Sequence, residues 1–126
     1  MQTILLVDDE PTMLRLCQQI LESGGYEVLP AANAAEALRL LQSDTGAVDL
    51  LLSDVVMPGM NGIELAKRIQ NTNPHTKIVL MTGYSAGEIT RLSGKNNPYR
   101  IIWKPFKAES LLRMIENVLD SPANPT

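Results

Sequence analysis

A chain of 126 residues that is 44% hydrophobic and 20% charged, with net charge -3, has the size and balance of one globular domain. It has no Lys/Arg cluster to neutralise nucleic-acid phosphates, its longest apolar runs fall far short of the roughly 20 residues of a membrane helix, and Met1-Gln2-Thr3 lacks the basic start of a signal peptide. The single Cys17 rules out an internal disulfide and suits a reducing compartment, so a cytoplasmic protein without direct nucleic-acid binding or membrane insertion is expected.

Ile4 to Val7 is a continuous apolar run bounded by acids and Pro11, the pattern of a strand buried on both faces. Met13, Leu14, Leu16, Cys17, Ile20 and Leu21 then recur at helical spacing, and Gly24-Gly25 ends that helix. Tyr26 to Leu29 reads as a second strand. Asn33 with Glu36 three residues later forms a capping box for a helix carrying Ala37, Leu38, Leu40 and Leu41. Val48 to Leu52 is a third strand, and Asn61 with Glu64 repeats the capping signature ahead of Ile63, Leu65, Ala66 and Ile69. Ile78 to Met81 is a fourth strand. Ser85 to Leu92 is a weaker helical stretch, with Gly87 inside it and the polar breaker Ser93 to Pro98 after it. Tyr99 to Trp103 is a fifth strand, and Leu111, Leu112, Ile115, Val118 and Leu119 mark a last amphipathic helix before a loose tail, Ser121 to Thr126, that carries two prolines.

Five strands alternating with helices predict an α/β domain: a parallel sheet covered on both faces with right-handed crossovers. The sequence does not itself order the strands; the order 2-1-3-4-5 follows from the doubly wound fold type, in which ligands sit beyond the carboxyl ends of the strands. Asp8 and Asp9, Asp54, Thr82 and Lys104 all fall at those ends.

Clustered carboxylates repel one another unless a cation joins them, and an oxygen-rich site needing only one or two protein carboxylates suits Mg²⁺. Asp8 or Asp9, Asp54 and a loop carbonyl would be its ligands. His75 and Cys17 are isolated from the strand ends, which argues against a transition metal. A carboxylate beside Mg²⁺ can attack a phosphoryl group, and Thr82 and Lys104 could then hold the new phosphoryl oxygens, with Gly83 allowing close approach of the backbone. Taken singly, each residue has a plainer reading. Asp54 could be a turn residue, Thr82 a helix cap, and Asp8-Asp9-Glu10 a solvated acidic turn before a helix. Their joint placement at the ends of strands one, three, four and five favours a shared site.

With these residues in hand, the chain resembles the receiver domains of bacterial two-component response regulators from Ile4 to about Leu119. The segments that carry the likeness are Leu5-Leu6-Val7-Asp8-Asp9-Glu10, Ser53 to Gly62, Met81-Thr82-Gly83-Tyr84 and Trp103-Lys104-Pro105-Phe106. The resemblance implies a flavodoxin-like (βα)5 sandwich spanning 1–120 with a flexible tail at 121–126. It implies that Asp54 takes a phosphoryl group from a phosphohistidine on a histidine kinase or phosphotransfer protein. Asp8, Asp9, Asp54 and the Val56 carbonyl would organise Mg²⁺, Thr82 and Lys104 would hold the phosphoryl group, and the Lys104-Pro105 bond would be cis. The output partner would be a downstream protein or a second copy of the chain, met at the face of helix four, strand five and helix five.

The family's usual aromatic residue three before the lysine is Ile101 here, and Ser93 to Pro98 replaces the usual Gly-Ala join, so the output route departs from the pattern. Tyr99 and Trp103 share the side-chain parity of Ile101. Val56 and Tyr84, two residues after Asp54 and Thr82, offer no carboxylate or amide to orient hydrolytic water, which predicts slow self-dephosphorylation and no turnover of an independent substrate. No output domain is expected after the last helix. A free-standing regulator and a receiver excised from a hybrid kinase fit equally well. The rivals are a receiver-like interaction module that works without phosphate and a metal-dependent phosphohydrolase. A flavodoxin-like electron carrier ranks last, because no Ser/Thr/Gly-rich phosphate loop follows strand one.

Overall fold

The computed structural model describes residues 1–43, 47–83, 85–93 and 97–121, with the backbone alone for residues 86 and 93. The strands are β1 (Thr3–Val7), β2 (Glu27–Ala31), β3 (Leu50–Asp54), β4 (Lys77–Thr82) and β5 (Arg100–Trp103). Between and after them lie α1 (Pro11–Ser23), α2 (Ala34–Gln42), α3 (Gly62–Thr72), α4 (Ala86–Ser93) and α5 (Ala108–Leu119). All strand pairs are parallel and the order is β2-β1-β3-β4-β5, as the fold type predicts. The chain is therefore a doubly wound (βα)5 sandwich.

Strand residues alternate between two cores because successive side chains point to opposite faces of a sheet. Leu5, Val7, Leu51, Ile78 and Leu80 join Ala34, Ala37, Ile63, Leu65, Ile69 and Ile89 on the side of α2, α3 and α4. Ile4, Leu6, Leu50, Leu52, Val79 and Met81 join Cys17, Leu21, Leu111 and Ile115 on the side of α1 and α5. With both faces covered, the central strands carry the unbroken apolar runs seen in the sequence.

Several boundaries differ from expectation for local reasons. β2 runs on through Pro30 to Ala31, which its place at the sheet edge permits, since a proline there leaves no ladder bond unmade on the open side. β3 starts two residues later than expected. The Val48 carbonyl instead accepts from the Thr76 hydroxyl at 2.8 Å, and the Asp49 carboxylate takes the Thr3 N–H at 2.7 Å. Tyr99 lies just outside β5. At α3 the capping box is complete, whereas at α2 only Asn33 contributes, accepting from the Glu36 N–H at 2.8 Å. The weak helical stretch is a real helix, and Ser85 and Glu88 exchange the reciprocal cap bonds that start it. Of the tail expected at 121–126, residues 122–126 lie outside the described residues, as do 94–96 of the polar join.

Candidate functional site

Sheet register brings the predicted residues to one level. Val7 pairs with Ser53, Asp54 with Met81 and Thr82 with Trp103, so the carboxyl ends of the four strands line up along one rim. The Lys104 N–H donates to the Thr82 carbonyl at 2.8 Å, fixing the lysine one residue beyond the last β4–β5 pair. The Lys104-Pro105 peptide bond is cis, as the resemblance implies.

At the rim, ligand oxygens of Asp8, Asp9 and Asp54 lie within 4.8 Å of one another, a carboxylate cluster capable of coordinating a divalent metal. The donors are all hard oxygens, which suits Mg²⁺ chemistry and fits no thiolate- or imidazole-seeking metal. Lys104 Nζ stands between two of the acids, 3.4 Å from Asp8 Oδ2 and 3.3 Å from Asp54 Oδ2. The Asp8 side chain is fully buried, and the Asp54 side chain is 12% exposed. The solvated-turn reading therefore fails for Asp8 and holds only for Asp9 and Glu10, which are exposed. Asp8 is held from both ends, because its Oδ1 accepts the Glu10 N–H at 2.9 Å while Oδ2 faces the lysine.

The charges are unbalanced. Burial pushes the Asp54 carboxyl above its ordinary pKa and Asp8 adds to the push, while Lys104 and the Val56 N–H act against it without cancelling it. For Lys104, burial acts downward, yet Asp54 and Asp8 together leave the ammonium above its usual value. The two directions agree: one cation is shared between two buried acids, so it is strongly held while Asp54 remains under-compensated.

Thr82 closes β4 and is buried at the same rim. It does not act as the cap of α4, whose first turn is capped by Ser85. Gly83 has open space where a side chain would stand, which leaves room beside Thr82. Val56 is 39% exposed at the mouth of the site, and Tyr84, its expected counterpart across the water route, lies outside the described residues. Ile101 is half-buried on the α2–α4 side of the sheet. Tyr99 is buried there too, its hydroxyl donating to Gln70 Oε1 at 3.1 Å, while Trp103 is 43% exposed.

One positioning residue carries no role in the sequence reading. A Cβ on Gly62 would fall 2.2 Å from the backbone oxygen of Asp54, so only glycine lets α3 begin against the end of β3, where the Gly62 N–H donates to the Val55 carbonyl at 2.8 Å. The signal was present. A glycine in the first turn of a helix is entropically costly and calls for a packing reason.

Among the described residues no helix is long and apolar enough to cross a membrane. The family model for the response regulator receiver domain matches residues 4–116. The response regulator receiver protein CpdR of Brucella abortus is 38% identical over 119 residues, covering 94% of this chain and 98% of the relative. The sensor kinase CckA of the same organism is 33% identical over 118 residues, 94% of this chain but only 12% of that protein. Among solved structures, a response regulator receiver domain protein from Clostridium thermocellum superposes with a TM-score of 0.83 at 29% identity over 95% of both chains.

Proposed function

The chain belongs to the response regulator receiver domains, phosphorylation-based signalling modules, and from that premise we propose that Asp54 is its phosphoryl acceptor. The donor is a phosphohistidine on a histidine kinase or phosphotransfer protein. A carboxylate oxygen of Asp54 forms the new P–O bond as the P–N bond breaks, and the electron pair leaves on the imidazole nitrogen, which takes a proton from solvent.

Asp8, Asp9, Asp54 and the Val56 carbonyl are the groups that would hold Mg²⁺. When bound, the metal supplies positive charge that offsets the charge on the transferred oxygens and helps align them. Lys104 is already within reach of Asp54 and provides a second positive charge that can turn to the phosphoryl group. Thr82 offers its hydroxyl as a donor from the adjacent strand end. A cytoplasmic location and a protein partner for the output face accompany this reading.

The observation that carries it is the bridging lysine: a cation wedged between two buried acids at a sheet rim is costly to assemble and gives a structural turn nothing. The test is incubation with acetyl phosphate and Mg²⁺ followed by intact mass. One added phosphoryl group is expected, dependent on Mg²⁺ and absent in Asp54→Asn. A chain left unmodified by every donor would instead be an interaction module that works without phosphate, the reading that Ile101 favours.

A further inference from the structure

Beside the acid cluster, and sharing Asp9 with it, a cleft of about 530 Å³ opens between α2 and α3. Its wall runs from Asp9 past Asn33, Leu38, Pro58 and Met60 to Arg68. A second cavity of about 320 Å³ continues the cleft down the seam of the two helices, and Leu38 and Arg68 line both. The volume lies in the range of pockets that bury most of a small organic molecule.

Apart from the Asp9 carboxylate, the polar side chains lining this cleft, Asn33 and Arg68, offer donors. Arg68 is exposed on α3 and, among the described residues, no carboxylate lies within ion-pair distance of its guanidinium. The reason is local. Glu64, the acid one turn earlier, turns its carboxylate to the Asn61 N–H at 3.3 Å to complete the α3 cap. Asn33 spends its side-chain oxygen on the Glu36 N–H, which leaves its amide N–H groups. A guanidinium and an amide donor above a floor of Leu38, Pro58 and Met60 select an acceptor joined to an apolar body. Asp9, which lines the same cleft, disfavours a second negative charge, so a carboxylate fits better than a phosphate.

We propose that the α2–α3 cleft is a binding site for a small apolar monocarboxylate, with Arg68 taking the carboxylate. Arg68 presents a planar fork that can donate to both oxygens at once. Because Asp9 belongs both to this wall and to the acid cluster, the site is also an input to the switch: a cation held by the cluster neutralises that end of the cleft and strengthens binding, and the anion strengthens metal binding by the same factor. This coupling rests on the metal reading above, whereas the site itself does not.

The test titrates the full chain, labelled with ¹⁵N, with 4-phenylbutyrate, with 4-phenylbutan-1-ol as the neutral probe, and with inorganic phosphate. In metal-free buffer 4-phenylbutyrate should shift the amides of Ala34, Leu38, Met60 and Arg68 with saturation, and Arg68→Gln should weaken it about tenfold while the fold and Asp54 phosphorylation stay intact. Equal binding of the alcohol, stronger effects from phosphate, shifts centred elsewhere, or no saturating shift at millimolar probe would each overturn the site. Leu38→Trp fills the cleft without touching Arg68 and should abolish the same shifts. Repeating the titration in Mg²⁺ should lower Kd several-fold. An unchanged Kd in a sample whose Asp9 and Asp54 amides do register Mg²⁺ overturns the coupling alone, and amides that ignore Mg²⁺ overturn the metal reading.

Discussion

Neutralising Asp54 should stabilise the metal-free protein, although it removes half of an ion pair. At an effective dielectric of about 20, Coulomb's law gives Lys104 at 3.3 Å an attraction for Asp54 of about 5 kcal/mol. The Asp8 oxygen, within 4.8 Å, returns at least about 3.5 kcal/mol of repulsion on the same scale. Lys104 therefore leads by no more than about 1.5 kcal/mol before burial is counted, and withdrawing a carboxylate from water costs several kcal/mol. The balance falls against the ionised acid, in the same direction as its raised pKa.

Asp54→Asn keeps the shape and an acceptor for Lys104, and the expected gain at pH 7 in EDTA is about 1–2 kcal/mol, or about 3–8 °C in Tm for a domain of this size. The pH dependence follows from the sign of the shift. A folded pKa raised above 3.8 means that the penalty is present in full above the folded value and disappears as pH falls through it toward 3.8. Thermal melts of both proteins from pH 7 down to 4 should show the gap closing. Adding Mg²⁺ at pH 7 should close it from the other side, because binding to the folded state alone stabilises it. A variant no more stable than the parent at pH 7 in EDTA, or a gap that ignores pH, would refute the charge-imbalance argument.

Gly62→Ala should destabilise the fold by at least about 2 kcal/mol and slow acetyl-phosphate labelling, since the added methyl meets the Asp54 backbone rather than a side chain that can swing away; urea melts and the labelling rate check both. The isolated domain should hold its phosphoryl group for minutes or longer, and Val56→Asn should shorten that lifetime about tenfold by supplying an amide to orient water; decay of the phosphorylated mass in Mg²⁺ reads it, and a half-life of seconds in the parent would defeat the idea. Cys17, fully buried with its thiol pushed up to about 11 by burial and then by Asp8, should resist thiol reagents at pH 8 in the native state and react only as fast as the protein opens. Rapid labelling under native conditions would show that α1 does not seal the core as described.

The strand ends were legible in the sequence because a parallel sheet buried on both faces writes its strands as unbroken apolar runs, and the first charged residue after each run marks the rim. Asp8, Asp54 and Lys104 could be read that way, with Thr82 beside them. The bridging of two acids by one lysine was not legible, since it depends on register: Thr82 opposite Trp103 sets where Lys104 starts, and nothing in β5 alone announces it. The cap of α4 was visible as Ser85 with Glu88, yet Gly87 and the polar breaker after it masked the signal. The α2–α3 cleft is the extreme case. Asp9, Asn33, Pro58 and Arg68 come from three loops and a helix, and neither the acid read as a metal ligand nor the asparagine read as a cap points to the others until the fold brings them together.

Backbone pairing ties Thr82 at the rim to β5, opposite Trp103 and through the Lys104 N–H. The side chains of β5 then divide by parity, Ile101 toward the α2–α4 core and Ile102 toward α1 and α5. The two candidates on the Ile101 side are not equivalent. Tyr99 would have to give up its hydrogen bond to Gln70 to move, a net cost of about 1 kcal/mol, and doing so would strand a phenol in a buried place. Ile101 is half-buried and has no polar group to break from, so a shift of β5 toward the site costs it only a change of packing. On that side of the sheet Tyr99 is therefore held by a polar contact that braces β5 against α3, whereas Ile101, two residues nearer the rim, is held by packing alone.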